Sequence, residues 1–519
     1  MDAAWERVVC HPTLQLWGAF CPCFMLLYIF GWLRLVVRVR AVAAELVAWQ
    51  RDQRENAQSI SREEAKIDHP KITVLLPVKG VHENTFNNWH SQIASTHGGD
   101  MEFIFAMESE QDPAYDLAMK FKEEVSGRPK VTIKVVNCGL TWYCTQKIHN
   151  LLEATCEISP DSKYVLFLDD DAEMRSEILK EMIRCLETKP DVMIASGWPH
   201  DYISSNTRSI PFSGYMMRGY RSLSSISLHR PSGYVDGIWG GCLLWRRDEL
   251  LSDQVGVIEA WEACGYSDDM IMGGRTKSQR KMMVVPAHAF LPTKIQGDYS
   301  VRKHWNYIFR QMYVCDTYHD IYDRLNNLQL LVGASFLLLV PCIFFHLQVL
   351  FSAIAVMHRA VTDPWRFTPS RLVSSQGPGC GDAPWNLSCD ALLLLILLVY
   401  LCWSEASFTA TRGMDRICEL MQPNRGDGRY AHQISQLTYR FNFFFGMIAH
   451  CILHASAAVW ALLHNHVVWS GIHYYKKRGK VSQVWRPDGK GALHTVDREE
   501  ARAAAIAARK GRRKYLKAQ

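Results

Sequence analysis

The sequence predicts an alternating α/β domain built on a parallel sheet and joined at both ends to membrane-spanning helices. Three observations point there. Strand-like and helix-like runs alternate between residues 71 and 168. Four long stretches are almost free of charge. The run YVLFLDDDAEM at 164–174 carries five mostly apolar residues straight into Asp169, Asp170 and Asp171, the pattern of a buried strand that ends in concentrated negative charge.

The elements of the domain follow in order. KITVLLPVKG (71–80) is an apolar run closed by Pro and Gly, hence a strand, and MEFIFAMES (101–109) is a second. NTFNNWHSQIAS between them reads as a helix. DPAYDLAMKFKEEV (112–125) is an amphipathic helix with Asp112 as N-cap and Pro113 at its first position. KVTIKVV (130–136) is a third strand, TQKIHNLLEAT a helix, and 164–168 the next strand. Such alternation implies a parallel sheet with helices on both faces. Ligands in these sheets bind beyond the C-terminal strand ends. Pro77, Lys79, Glu108 and Asp169 to Asp171 are expected to gather there.

The apolar stretches are 14–33, 328–357 with Pro341, 391–411 with Glu405, and 441–469. Each reaches the length of about 20 residues that spans a bilayer. The 17 Trp and 48% hydrophobic content suit interfacial anchoring. Arg34, Arg38 and Arg40 follow the first stretch where a signal peptide would show a cleavage site, so it reads as a retained anchor with its C-terminal side in the cytosol. The expected organisation is an anchor at 14–37, a helical linker at 38–68, a catalytic domain at 69–300, an amphipathic interface helix at 301–325, a membrane domain at 328–469 and a basic tail at 470–519. Cys380, Cys389 and the sequon at Asn386 would suit a lumenal 358–390 loop. The tail carries a net +10. Four crossings put it in the lumen and its charge puts it in the cytosol. A fourth segment that lies on the membrane or is re-entrant would reconcile the two, and both alternatives stay open. The Ala-rich end of the tail reads as a helix with a solvated basic face.

Net charge is +6 from 58 Lys and Arg against 52 Asp and Glu, too mild for a nucleic-acid binder. The 16 Cys show no zinc spacing, and Cys21-Pro-Cys23 lies in an apolar run. Neither GxGxxG nor GxxxxGK[ST] follows the first strand, which disfavours dinucleotide and P-loop chemistry. Carboxylates at a strand end remain. Side chains alternate along an extended chain, so Asp169 and Asp171 face one way and Asp170 the other. Two converging carboxylates suit Mg²⁺ or Mn²⁺, which prefer oxygen ligands. A helix N-terminus is the competing reading of the cluster. A second acidic pair, Asp268 and Asp269 in GYSDDMIMGGR, opens a helix-like turn and offers either an N-cap or a general base. Gly240 and Gly241 precede the strand-like 242–245 and let backbone approach a ligand. In 301–325, Trp305, Ile308, Phe309, Met312 and Cys315 fall at helical spacing directly before a span. His450 and His454 at i,i+4 read as polar packing.

The motifs LLPVKG, DPAYD, CTQKIHN, KYVLFLDDD, WGGCLLW, GYSDDM, HWNYIFRQ and WSGIHYYKKRGKVS, in this order, resemble the ceramide glucosyltransferases, particularly the plant and algal type, and with them the GT-A glycosyltransferase fold. The resemblance covers 70–320 strongly and the membrane part more loosely. It implies UDP-glucose as donor, ceramide as acceptor, and an inverting single displacement giving β-glucosylceramide. It also implies Mg²⁺ or Mn²⁺ at Asp169 and Asp171, and a carboxylate base aligned to Asp269 with Asp268 beside it. The donor set it implies is Pro77, Lys79, Glu108, Lys147, Asp169, Gly240, Gly241, Arg310 and Gln311, with Trp305 and Phe309 at the acceptor. Two departures stand out. Ser109, with Glu108 beside it, occupies the place of an Asp in animal members, and WNYIFRQMY replaces the usual Q/R-x-x-R-W motif. The implied home is the endoplasmic reticulum or Golgi, multi-pass, with the catalytic domain in the cytosol. Competing readings are transfer to diacylglycerol or a sterol, a processive polysaccharide synthase, and a catalytically dead lipid-binding protein.

Overall fold

The computed structural model describes residues 12–55, 69–95, 97–202, 210–229, 232–287, 289–295, 298–331, 335, 357, 361, 389–421 and 436–518. Helix α1 (Pro12–Glu55) leads to β1 (Ile72–Pro77), α2 (Thr85–Ala94), β2 (Met101–Met107), α3 (Pro113–Glu124), β3 (Val131–Asn137), α4 (Gln146–Ala154) and β4 (Tyr164–Leu168). Next come α5 (Ser176–Thr188), β5 (Val192–Ser196), β6 (Trp198–Tyr202), α6 (Phe212–Ser225) and β7 (Cys242–Arg246). Short helices α7 (Arg247–Leu251) and α8 (Val257–Glu262) precede α9 (Asp268–Ser278), β8 (Met282–Val284), β9 (Phe290–Lys294), α10 (Val301–Cys315) and α11 (Ile321–Leu330). The chain is completed by α12 (Cys389–Leu420), α13 (Gln436–Leu463), β10 (His466–Trp469), β11 (Ile472–Lys477), β12 (Lys480–Pro487), β13 (Leu493–His494) and α14 (Arg498–Ala518).

Among the described residues, seven strands form one sheet in the order β3-β2-β1-β4-β7-β5-β8. Strands β1 and β4 are buried along nearly their whole length, as continuous apolar runs require. Asp112 caps α3 by accepting from the Ala114 amide, and Pro113 sits at its first position, as expected. The all-parallel expectation fails at one strand. β7 runs antiparallel to both β4 and β5. It is reached through the long 203–241 connection, not the short helical crossover that forces parallel pairing.

Three other expectations need correction. The stretch 301–325 is two helices, α10 and α11, broken at 316–320. The apolar segment 441–469 does not form one helix, because α13 ends at Leu463 and Trp469 belongs to β10. The basic tail is only partly solvated. Its strands β10 to β13 form a second sheet, and Arg509 of α14 is buried, donating to Glu153 (2.9 Å), Glu262 (3.1 Å) and the Tyr143 hydroxyl (3.0 Å). The tail therefore lies on the same side of any membrane as the catalytic domain. The linker beyond 55, most of 328–357, Cys380 and the Asn386 sequon fall outside the described residues.

One contiguous core runs from Trp32 and Leu35 of α1 through the sheet to α12 and α13. α1 and α12 lie side by side in parallel, with Val39 against Gly413 and the Gln50 amide reaching the Leu420 carbonyl. Asp415 fastens α12 to the sheet domain, accepting from Arg218 of α6 (2.9 Å) and facing His200 of β6 (2.8 Å).

Candidate active site

Beyond the C-terminal ends of β1 and β4 opens a cavity of about 470 Å³. Asp169, Asp170 and Asp171 line it at the end of β4, and Asp268 and Asp269 line it at the start of α9. The three-Asp loop is held by its backbone. Gln92 donates to the carbonyls of Asp169 and Ala172 (both 2.9 Å), and Asn88 to that of Asp170 (3.1 Å). These buried α2 amides were not singled out from the sequence. An Asn and a Gln on one helix carry no local signal of what they meet.

The three side chains have different surroundings, in a turn that follows β4. Asp170 turns to His82, 3.7 Å away. Asp169 pairs with Lys147 at 2.8 Å. Asp171 accepts no hydrogen bond among the described residues. Lys147 also reaches Asp268 at 2.9 Å, so one ammonium links the two acidic clusters. Burial alone would discharge Lys147. Asp169 and Asp268 outweigh it and raise its pKa. Asp169 is held up at about 7 by burial, with Asp171 and Asp268 adding to the effect against Lys147. Asp171 and Asp269 are raised too, first by burial and then by Asp170 and Asp268 respectively.

Asp269 is fixed in place by three donors. Its Oδ2 accepts from the Gly240 amide (3.1 Å), and its Oδ1 from Ser267 Oγ (2.5 Å) and the Met270 amide (2.8 Å). The two glycines are spatial necessities. A Cβ on Gly240 would come within 2.9 Å of Asp268 Oδ2, and one on Gly241 within 2.1 Å of the Trp239 ring. The N-cap alternative holds in part, since Ser267 caps α9 and both carboxylates fall in its first turn.

Among the described residues, no group of three or more His, Cys, Asp or Glu is arranged to close around an ion. The open Asp171 and the upward shifts of Asp169 and Asp171 nevertheless fit a cation. Mg²⁺ commonly takes only one or two protein carboxylates and fills the rest with water and phosphate.

The remaining expected residues divide. Pro77, Lys79, Lys147, Gly240, Gly241, Arg310 and Gln311 line the cavity. Arg310 makes no ion pair among the described residues and lies over Trp469, 5.1 Å from the ring centroid. Glu108 lies outside this lining. Its carboxylate is taken up by Lys79 and by Arg486 of β12 (3.1 Å), so it braces the cavity wall from behind and is absent from the lining. Burial raises its pKa, but Lys79 and Arg486 more than reverse this and hold it low. Trp305 and Phe309 also lie off the cavity. Both are half-buried against the core and neither lines the cavity, whereas Tyr307, Met312 and Cys315 of the same helix do.

Sequence reasoning included WSGIHYYKKRGKVS in the resemblance but did not place the tail at the site. Trp469, Ser470, Ile472 and Tyr474 form one cavity wall, and Arg486 reaches Glu108 and Gln146 from it. The signal was present. Ser470-Gly471 and Arg478-Gly479 have positive φ throughout (50°, 77°, 53°, 77°), the two-residue hairpin turns that an X-Gly pair between alternating strands announces.

A mixed α/β sheet whose central strand delivers carboxylates into a cavity, opposite a second acidic pair on a helix, is the arrangement expected of a GT-A glycosyltransferase. The chain belongs to Glycosyl transferase family 21, whose profile matches residues 33–363. It is thus an enzyme of sugar transfer. No curated protein sequence matches it. One similar solved structure is mannosyltransferase PcManGT from Pyrobaculum calidifontis in complex with GDP-Man and Mn²⁺, at 13% identity, covering 81% of this chain and 99% of that one, with a TM-score of 0.31. Another is glucosyl-3-phosphoglycerate synthase from Mycobacterium tuberculosis in complex with phosphoglyceric acid, at 10% identity, covering 47% and 79%, with a TM-score of 0.27. Likenesses this slight carry no argument about the ligands of this chain.

Proposed function

We propose that this enzyme transfers glucose from UDP-glucose to the primary hydroxyl of ceramide with inversion, at the cytosolic face of an endoplasmic reticulum or Golgi membrane. The observation that carries the reading is the pairing of the Asp169–Asp171 cluster with Asp269 across one cavity. A nucleotide diphosphate needs positive charge at one end, and a hydroxyl nucleophile needs a proton acceptor at the other. Asp169 and Asp171 are the residues that would hold Mg²⁺ or Mn²⁺, which neutralises charge on the departing diphosphate. Arg310, which makes no ion pair among the described residues, is available to the same phosphates. Lys147 engages Asp268 at 2.9 Å, which makes Asp268 a poor base. Asp269 has no cationic partner among the described residues and a raised affinity for protons. It takes the hydroxyl proton as the oxygen attacks the anomeric carbon and the bond to UDP breaks. Its three donors fix the direction of that attack.

Support for a membrane-borne acceptor comes from the long α1 and α12, whose outer portions expose Leu26, Phe30, Leu33, Leu398 and Leu401. The test is UDP release by the purified protein in proteoliposomes containing ceramide, diacylglycerol or a sterol. Turnover with ceramide alone is expected. Turnover confined to another lipid replaces the acceptor, and none with any lipid removes the reading.

A further inference from the structure

Helix α13 has the length and hydropathy of a membrane span over Leu437–Leu463. Its packing argues against a crossing. Near its start, Tyr439 meets Tyr215 of α6 with ring centroids 5.4 Å apart. In the middle, Gly446 abuts the Tyr215 backbone so closely that a Cβ would come within 2.9 Å, and His450 lies 3.3 Å from His304 of α10. At its end, Lys476 of β11 donates to the Ala461 carbonyl at 3.1 Å. The helix is thus flanked along its whole length by the catalytic domain and the tail sheet. A crossing would draw α6 and α10 into hydrocarbon, together with the exposed Arg302 and Lys303 of α10.

The opposite face is open and apolar. Leu437, Phe441, Phe445, Ile452, Val459 and Leu463 recur every four or seven residues and are between 41% and 79% exposed. They form one stripe along a helix about 42 Å long. α11 exposes Ile321, Leu325 and Leu328 in the same manner and leads into the apolar 328–357 stretch.

We propose that α13 lies along the surface of a lipid bilayer, with its apolar stripe among the acyl chains, and does not cross it. The inference rests on the membrane reading given above. Its occupant is the bilayer because the face is continuous in character with α11, whose sequence runs on into the apolar stretch 328–357, and is backed by a domain too polar to enter a bilayer. The parallel course of α1 and α12 fits. Both end at the catalytic domain, so the chain must return between them, and 328–357 supplies that crossing. The crossings are then α1, 328–357 and α12. The loop 422–435 and the tail both stay on the catalytic side, where the positive charge of the tail belongs.

The test uses the full chain in sealed microsomes, with protease-cleavable tags placed singly at 422–435, at 362–388 or after Gln519, and a photo-crosslinking residue at Phe441 or Ile452. Added protease is expected to cut the 422–435 and C-terminal tags without detergent and the 362–388 tag only with it. Both photo-crosslinkers are expected to label phospholipid. Protection of 422–435 while the C-terminal tag is cut makes α13 a span and overturns the proposal. Crosslinks to protein alone overturn it as well. UDP release by the tagged proteins is read separately, so its failure with an unchanged cleavage pattern refutes the reaction and leaves the placement of α13 standing. Release of the protein by alkaline carbonate refutes both.

Discussion

Asp269 is where the chemistry is most exposed to test. Burial and Asp268 raise its pKa, so it loses its proton at a higher pH than an ordinary carboxyl. A base works only when deprotonated. The acid limb of the kcat profile is therefore expected above the ordinary carboxylate range, with activity lost as pH falls through the raised value. Asp269→Asn should lower kcat by about 10²–10⁴ while leaving UDP-glucose binding intact. If Asp268→Asn is instead the dead variant and Asp269→Asn turns over normally, the roles of the two are exchanged. Arg486 is the second residue to probe. It is buried, donates to Glu108 at 3.1 Å and to the Thr141 carbonyl at 3.3 Å, and reaches Gln146 of the cavity lining. Charge-assisted bonds of this kind contribute about 1.5–3 kcal/mol, so Arg486→Gln should raise the KM for UDP-glucose roughly ten- to a hundredfold with little change in kcat. An unchanged donor KM would reduce Arg486 to packing. The acidic pairs were legible at this scale because like charges side by side are conspicuous in a sequence. Arg486 was not, since nothing local distinguishes one arginine of a basic tail from another.

Elements were legible where their own residues decide them. Continuous apolar runs gave β1, β2 and β4, and Asp112-Pro113 gave the start of α3. Polarity of β7, the break between α10 and α11, and the end of α13 were not, because connection length and tertiary packing decide these. The docking of α12 shows what periodicity leaves out. Asp415 is 1% exposed, and Arg218, His200 and Arg412 overcome its burial and keep its pKa far below the carboxylate range. Asp415→Asn leaves Arg218 buried without its counter-charge. Breaking a buried pair this way costs about 3–5 kcal/mol, to be seen as a lowered Tm in detergent. The solvent-exposed Lys163–Glu187 pair at 2.6 Å provides the contrast. Lys163→Ala should cost about 0–1 kcal/mol. Equal losses from the two would mean that α12 is not anchored through Asp415.

At the scale of the whole molecule, the catalytic cavity is completed by a segment that follows the membrane helices in sequence. β10 to β13 return from α13 to wall the cavity with Trp469, Ile472 and Tyr474, and α14 buries Arg509 among Glu153, Glu262 and Tyr143. Arg509 of the tail thus pairs with the buried Glu153, and Arg486 joins Lys79 on Glu108. A chain ending at Asn465 keeps every segment expected to cross the bilayer but loses this wall. It should still resist carbonate extraction, yet fail to bind UDP-glucose and fail to release UDP. Loss of the wall and general misfolding are separated by Trp469→Ala in the full-length protein. This variant keeps the tail docked through Arg509 and Arg486 but removes the ring under Arg310, so a raised donor KM at an unchanged Tm is expected. Normal donor binding by the truncated chain would show that the tail only covers a site already complete without it.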